Sequence, residues 1–240
     1  MNSTKQIKCN TMEIKRNFLK DFPSFSELEK CIECGEEMFS KYDPCKYLSF
    51  INEQHDDPKK VSGEIYDFLI SWGMKLEKQN VAYRKDLFVQ QIDQMKECIS
   101  NIKDFSLENF KANEDKIRKN LEIFWTIDIT GRNSKIVFHT KALHFFLPKL
   151  FIPMDRHYTL CYLNDFHDSY YFLKKHETLG DDLEICIAYH RYMADLYKTY
   201  QEKLTQLQTK SCPSKNYPIT KLLDHAVIGF VRKGKNKCGK

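Results

Sequence analysis

A lysine and an aspartate 20 positions apart are the residues of this chain best suited to chemistry. Lys135 follows the turn 130–134 and precedes an apolar stretch that predicts a helix over 136–147, and Asp155 follows that stretch. The dipole at a helix start and burial both favour the neutral form of an amine. A neutral lysine is a nucleophile that can form a Schiff base with an aldehyde carbon. The pair Lys135 and Asp155 therefore predicts covalent chemistry through an amine.

A second lysine competes for this role. Lys141 lies six positions after Lys135 and 14 positions before Asp155. Six residues are about 1.7 helical turns, so the two lysines lie on different sides of the helix and only one can point at Asp155. We favour Lys135 because it adjoins the turn, and Lys141 is the alternative nucleophile. A structural explanation is also open, since a lysine at a helix start is usually solvated and Asp155 can cap a helix beginning at Arg156.

The order of these residues resembles the helix-hairpin-helix DNA glycosylases of the endonuclease III and 8-oxoguanine glycosylase class. In that family G-V-G-x-K is followed by an apolar helix and then by P-V-D-x-H. The corresponding stretches here are 131–135, which reads GRNSK, and 153–157, which reads PMDRH. Asn133 replaces the second glycine, and asparagine tolerates a positive φ angle better than other non-glycine residues. The stretch 135–141 is also similar to the archaeal 8-oxoguanine glycosylases, an alignment that would shift the nucleophile to Lys141.

The resemblance implies a function and a set of site residues. It implies excision of a damaged or modified base, with or without lyase cleavage of the abasic strand, with Lys135 as nucleophile and Asp155 assisting proton transfer. Double-stranded DNA is the implied partner, and Trp72 is the candidate for a base pocket. The implied DNA contacts, through hairpin N–H groups and nearby side chains, are Gly131, Arg132, Asn133, Ser134, Arg156 and His157. The alternative is a non-catalytic DNA-binding or protein-interaction module on the same helical scaffold.

Composition and cysteine usage limit the class of protein. The chain has 240 residues and a net charge of +5, which permits nucleic-acid binding without requiring it. No apolar run approaches the ~20 residues of a membrane span, and no apolar signal segment follows the first residues. Nine scattered cysteines do not form a secreted disulfide framework, and Cys31-x-x-Cys34 lacks a second pair at metal-ligand spacing. We expect an intracellular protein of the cytoplasm or nucleus, without metal or cofactor and more readily monomeric than oligomeric.

Hydrophobic periodicity predicts an all-α array of about ten helices that contains the helix-hairpin-helix element. We expect one compact domain over 1–210, in one unit or in two lobes with a cleft near 131–157. A linker over 211–218, a helix over 219–231 that packs on the body and a basic disordered tail over 232–240 would follow. Lys221, Asp224 and His225 predict a polar face with a surface ion pair on that last helix. The main predicted helices are 25–42, 61–74, 86–102, 113–127, 136–147, 182–209 and 219–230.

Overall fold

The computed structural model describes residues 18–39, 57–71, 81–127, 135–163, 179–210 and 217–238. This part of the chain contains helices and no strand, so the all-α prediction is confirmed. Two short 3-10 helices, Leu107–Asn109 and Lys111–Asn113, lie before α5. The α-helices are α1 (Phe18–Asp21), α2 (Phe25–Phe39), α3 (Pro58–Ser71), α4 (Val81–Ser100), α5 (Glu114–Phe124), α6 (Ile136–Phe146), α7 (Thr159–Leu163), α8 (Leu179–Lys210) and α9 (Ile219–Cys238).

Capping side chains fix two of the helix starts. The Oγ of Ser24 accepts the N–H of Glu27 at 3.3 Å, which confirms the predicted start of α2. Helix α3 begins at Pro58, earlier than the predicted residue 61, because Oδ1 of Asp57 accepts the N–H of Lys59 at 3.1 Å. Proline suits the first helical position, where its missing N–H is not needed. The polar loop before Asp57 was therefore predicted to extend too far.

Helix α6 lies at the centre of the core and is buried on nearly every side. Nine of its eleven residues are buried. Its aromatic rings pack against three neighbouring helices, through the pairs Phe145 with Phe68 of α3, Phe138 with Phe88 of α4, and His139 with Phe124 of α5. A helix surrounded in this way must satisfy the polar groups it carries within the protein. The polar residues of α6 are consequently the natural place to look for a site.

Two glycines let α9 cross α2 at very short range. A Cβ atom added to Gly35 would lie 2.1 Å from the backbone oxygen of His225, and one added to Gly229 would lie 1.9 Å from the backbone oxygen of Cys31. Real Cβ atoms do not approach oxygen so closely, so any larger residue would push the helices apart. This crossing fixes α9 against the body of the protein and brings its buried face toward α6.

The basic residues after 231 correct one prediction. We expected 232–240 to be a disordered tail, but α9 continues to Cys238. Contacts with α2 explain the difference: the guanidinium of Arg232 donates to the carbonyl of Cys34 at 2.5 Å, and Nζ of Lys233 lies 3.7 Å from Sγ of Cys31. Within the described ranges, no helix is both long and apolar enough to cross a membrane.

Candidate functional site

The start of α6 is capped by an aspartate from a distant helix. Oδ2 of Asp182 in α8 accepts the N–H of Lys135 at 2.6 Å and the N–H of Ile136 at 3.2 Å. Asp182 has no exposed surface. A buried carboxylate at this position satisfies two donors that a helix start leaves unpaired, and its charge complements the helix dipole. The N–H groups of Lys135 and Ile136 therefore bind an internal anion, where the resemblance implied a DNA phosphate.

Lys141 and Asp155 form the ion pair that joins the centre of α6 to the segment after it. Nζ of Lys141 donates to Oδ2 of Asp155 at 3.3 Å. The side chain of Lys141 is 9% exposed and that of Asp155 is 30% exposed. Solvent therefore reaches the pair from the carboxylate side. The partner of Asp155 is the lysine we kept as the alternative nucleophile, whereas the backbone of the favoured Lys135 is held by Asp182.

Asp155 uses its second carboxylate oxygen to shape the turn before α7. Its Oδ1 accepts the N–H of His157 at 2.7 Å, and its own N–H donates to Oγ1 of Thr159 at 3.0 Å. These local bonds are typical of an aspartate that starts a turn. The capping role and the ion pair occur together, because each oxygen serves one of them. The carboxylate that contacts Lys141 is thus fixed in direction by the backbone.

Three buried side chains hold the backbone that leads into Asp155. Oγ1 of Thr140 accepts the N–H of Met154 at 3.1 Å, Nε2 of His190 accepts the N–H of Ile152 at 2.9 Å, and Nδ1 of His144 donates to the carbonyl of Phe151 at 2.7 Å. Thr140 and His144 belong to the helix that carries Lys141. The spacing between the amine and the carboxylate is therefore set by a rigid frame.

Burial keeps these histidines neutral. It lowers the pKa of His144 to about 3 and that of His190 to about 4. The neutral form of His190 has one accepting and one donating nitrogen, and its Nδ1 donates to the carbonyl of Cys186 at 2.8 Å. A proton on Nε2 would remove the acceptor for Ile152. The frame around Asp155 therefore requires both rings to remain uncharged.

A second lysine–aspartate pair lies behind the first. Nζ of Lys221 donates to Oδ2 of Asp224 at 2.5 Å, and these side chains are only 3% and 4% exposed. Burial lowers the pKa of Lys221 and raises that of Asp224. The charges of Lys141 and Asp155 act on both groups, so the two pairs form one cluster of four charges. The prediction of a surface ion pair on the last helix is wrong, because α9 turns this face into the core.

The remaining predicted site residues differ in what the structure says of them. Arg156 is half-buried and His157 is exposed, and both follow Asp155 directly in the turn. The turn residues 131–134 and Trp72 lie outside the described residues. Among the residues that the structure does describe, no group of three or more His, Cys, Asp or Glu side chains could hold a metal ion.

Sequence reasoning missed Asp182 and undervalued the charged residues of α9. Asp182 lies 47 positions from Lys135, and a cap supplied from so far away leaves no local pattern. Lys221 and Asp224 have the i, i+3 spacing that usually marks a solvated pair. The apolar residues that surround them in the sequence were the available signal that this face is buried.

Comparison of the chain with models of known protein families, with curated proteins and with solved structures found no match. The geometry described above is therefore the main basis for assigning a function.

Proposed function

We propose that this protein is a DNA glycosylase, with or without lyase activity, in which Lys141 is the nucleophile and Asp155 its acid partner. The observation that carries the proposal is the 3.3 Å contact between Nζ of Lys141 and Oδ2 of Asp155 at the edge of the core. It supports the alignment with the archaeal 8-oxoguanine glycosylases over the alignment that selects Lys135. The fold is all-α, as the resemblance to helix-hairpin-helix glycosylases requires.

The ion pair suits the first proton transfer of such a reaction. Transfer of a proton from the Lys141 ammonium to Asp155 gives a neutral amine beside a neutral acid. The amine lone pair then forms a bond to C1′ of the sugar, and the bond from C1′ to the base breaks with its electron pair leaving on the base, which takes up a proton. Loss of the amine proton and opening of the sugar ring yield a Schiff base on Lys141.

Access to the pair is compatible with a nucleotide that is rotated out of the duplex. Asp155 presents 30% of its side chain to solvent, and the turn that follows it carries the half-buried Arg156 and the exposed His157. Cationic side chains next to an accessible site favour binding of the phosphate backbone. Because Asp182 occupies the N–H groups at the start of α6, we assign the phosphate contacts to this turn in preference to those N–H groups.

Borohydride trapping tests the proposal directly. The substrates are duplexes with 8-oxoguanine, uracil, thymine glycol or an abasic site, and hydride reduction fixes any Schiff base as a stable amine. Lys141→Met removes the amine, and Lys135→Met is the matched control because the two lysines are 7% and 8% exposed on one helix. We expect an adduct with the parent and with Lys135→Met, and none with Lys141→Met. Loss of the adduct in Lys135→Met alone would contradict the assignment.

Other outcomes separate the remaining functions. Base release without a trapped adduct would indicate a glycosylase that uses water as nucleophile. Salt-dependent duplex binding without base release would indicate the non-catalytic DNA-binding module. Absence of duplex binding at low salt would remove both nucleic-acid functions.

A further inference from the structure

The four-charge cluster contains an ion pair that the proposed reaction does not use. Lys221 and Asp224 bury a full charge each at the centre of the protein, which costs several kcal/mol per ion before their attraction is counted. A pair of apolar residues would avoid this cost. The position of the pair, next to Lys141 and Asp155, gives it a role that apolar residues could not take.

The two pairs are arranged with like charges facing each other. After burial and its own partner, the largest influence on Lys221 is the opposing charge of Lys141, which outweighs the attraction of Asp155. The largest influence on Asp224 beyond its own pair is the opposing charge of Asp155, which outweighs Lys141. Lysine thus lies nearer to lysine, and aspartate nearer to aspartate. This side-by-side arrangement makes it unfavourable for both pairs to be fully charged at once.

We propose that the buried Lys221–Asp224 pair is part of the same site and favours the neutral, nucleophilic form of Lys141. The inference rests on the proposed function, since it assigns a role to the amine of Lys141. The nearer charge of Lys221 opposes a proton on Lys141, and the more distant Asp224 compensates only in part. Lys221 is a positioning residue in this account, because it acts on the substrate through Lys141.

Other ionisable groups border the cluster and keep it polar on several sides. The ring of His144 in α6 is within electrostatic range of Lys221, and the hydroxyl of Tyr189 in α8 is within range of Asp224. Tyr158, in the turn before α7, lies within range of Asp155 and of Arg232. Burial favours the uncharged forms of His144, Tyr189 and Tyr158. Lys221 and Asp224 are therefore the fully charged groups of the second pair that act on Lys141.

Reductive methylation of the intact protein measures the reactivity of Lys141 without DNA. Formaldehyde with cyanoborohydride modifies only neutral amines, and peptide mass spectrometry reports the rate at each lysine across a series of pH values. The variant is Lys221→Met with Asp224→Asn, which removes both charges and keeps similar volumes. Lys60 in α3, with a side chain that is 81% exposed, is the internal control.

We expect the methylation midpoint of Lys141 to rise by about one pH unit in the double variant, which is about a tenfold lower rate below the midpoint. The midpoint of Lys60 should not move. If the double variant does not fold, Lys221→Gln keeps a donor for Asp224 and should shift Lys141 in the same direction. An unchanged Lys141 midpoint in a folded variant would overturn the proposal, as would a Lys141 that is never methylated in the parent.

The methylation and trapping experiments fail independently. A shifted Lys141 midpoint without any DNA adduct would retain the electrostatic coupling and remove the glycosylase function. A DNA adduct on Lys141 with an unchanged midpoint would retain the glycosylase and remove the role of Lys221.

Discussion

The three fully buried histidines should make this protein sensitive to acid. Burial lowers the pKa of His139 to about 3, of His144 to about 3 and of His190 to about 4, against an ordinary value of 6.5. In the unfolded chain each ring takes up a proton as the pH falls below about 6.5, whereas in the folded protein it stays neutral. The unfolded state therefore binds more protons in this range, and stability falls with the pH.

The expected loss is large compared with the stability of an ordinary domain. Between about pH 7 and about pH 5, each histidine should cost roughly 2 kcal/mol, and the three together roughly 6 kcal/mol. Domains are typically stable by about 5–15 kcal/mol. Asp224 opposes this trend, because burial raises its pKa and its folded form gains a proton earlier than the unfolded form. The contribution of the histidines is complete above pH 6.5 and is lost as the pH falls from there toward the folded pKa values of about 4 and about 3.

Urea unfolding at several pH values between about 7 and about 5 measures this slope. His139→Gln removes one titrating ring and keeps a donor for the carbonyl of Ile127, which Nε2 of His139 contacts at 3.2 Å. We expect this variant to be less stable at neutral pH but to lose about one third less stability on acidification. His157→Gln is the control, because the ring of His157 is exposed. A parent stability that is flat over this range, or an unchanged slope in His139→Gln, would refute the reasoning.

Two further predictions concern the elements that position the site, and both are checked by urea or thermal unfolding. Gly229→Ala should destabilise the protein by about 3 kcal/mol, since the new Cβ would lie 1.9 Å from the backbone oxygen of Cys31. Gly63→Ala should stabilise it by up to about 1 kcal/mol, because that Cβ meets only the flexible Lys85 side chain at 3.3 Å; equal effects would contradict the proposed crossing. Asp182→Ala should cost about 2–4 kcal/mol by leaving two buried N–H groups unpaired, and Asp182→Asn should recover part of it. Equal stabilities of the parent and Asp182→Ala would exclude Asp182 as the cap of α6.

Local sequence patterns predicted the helices well because helix formation depends on nearby residues. The apolar spacing from Ile136 onward and the Ser24–Glu27 signal gave starts that match α6 and α2. Boundaries moved where a distant contact intervened. Helix α9 extends beyond its predicted end at 230, where Arg232 and Lys233 bind residues about 200 positions away. No pattern within the C-terminal sequence contains that partner.

The sequence by itself determined an all-α fold, a buried helix over 136–146 and the presence of two candidate lysines before Asp155. Tertiary structure decided which lysine meets the carboxylate, because the direction of Asp155 is set by backbone held through Thr140, His144 and His190. It also decided that Lys221 and Asp224 are buried and that Asp182 caps α6. Each of these outcomes depends on residues distant in sequence that become neighbours only when the helices pack, and charge effects depend on that distance and burial.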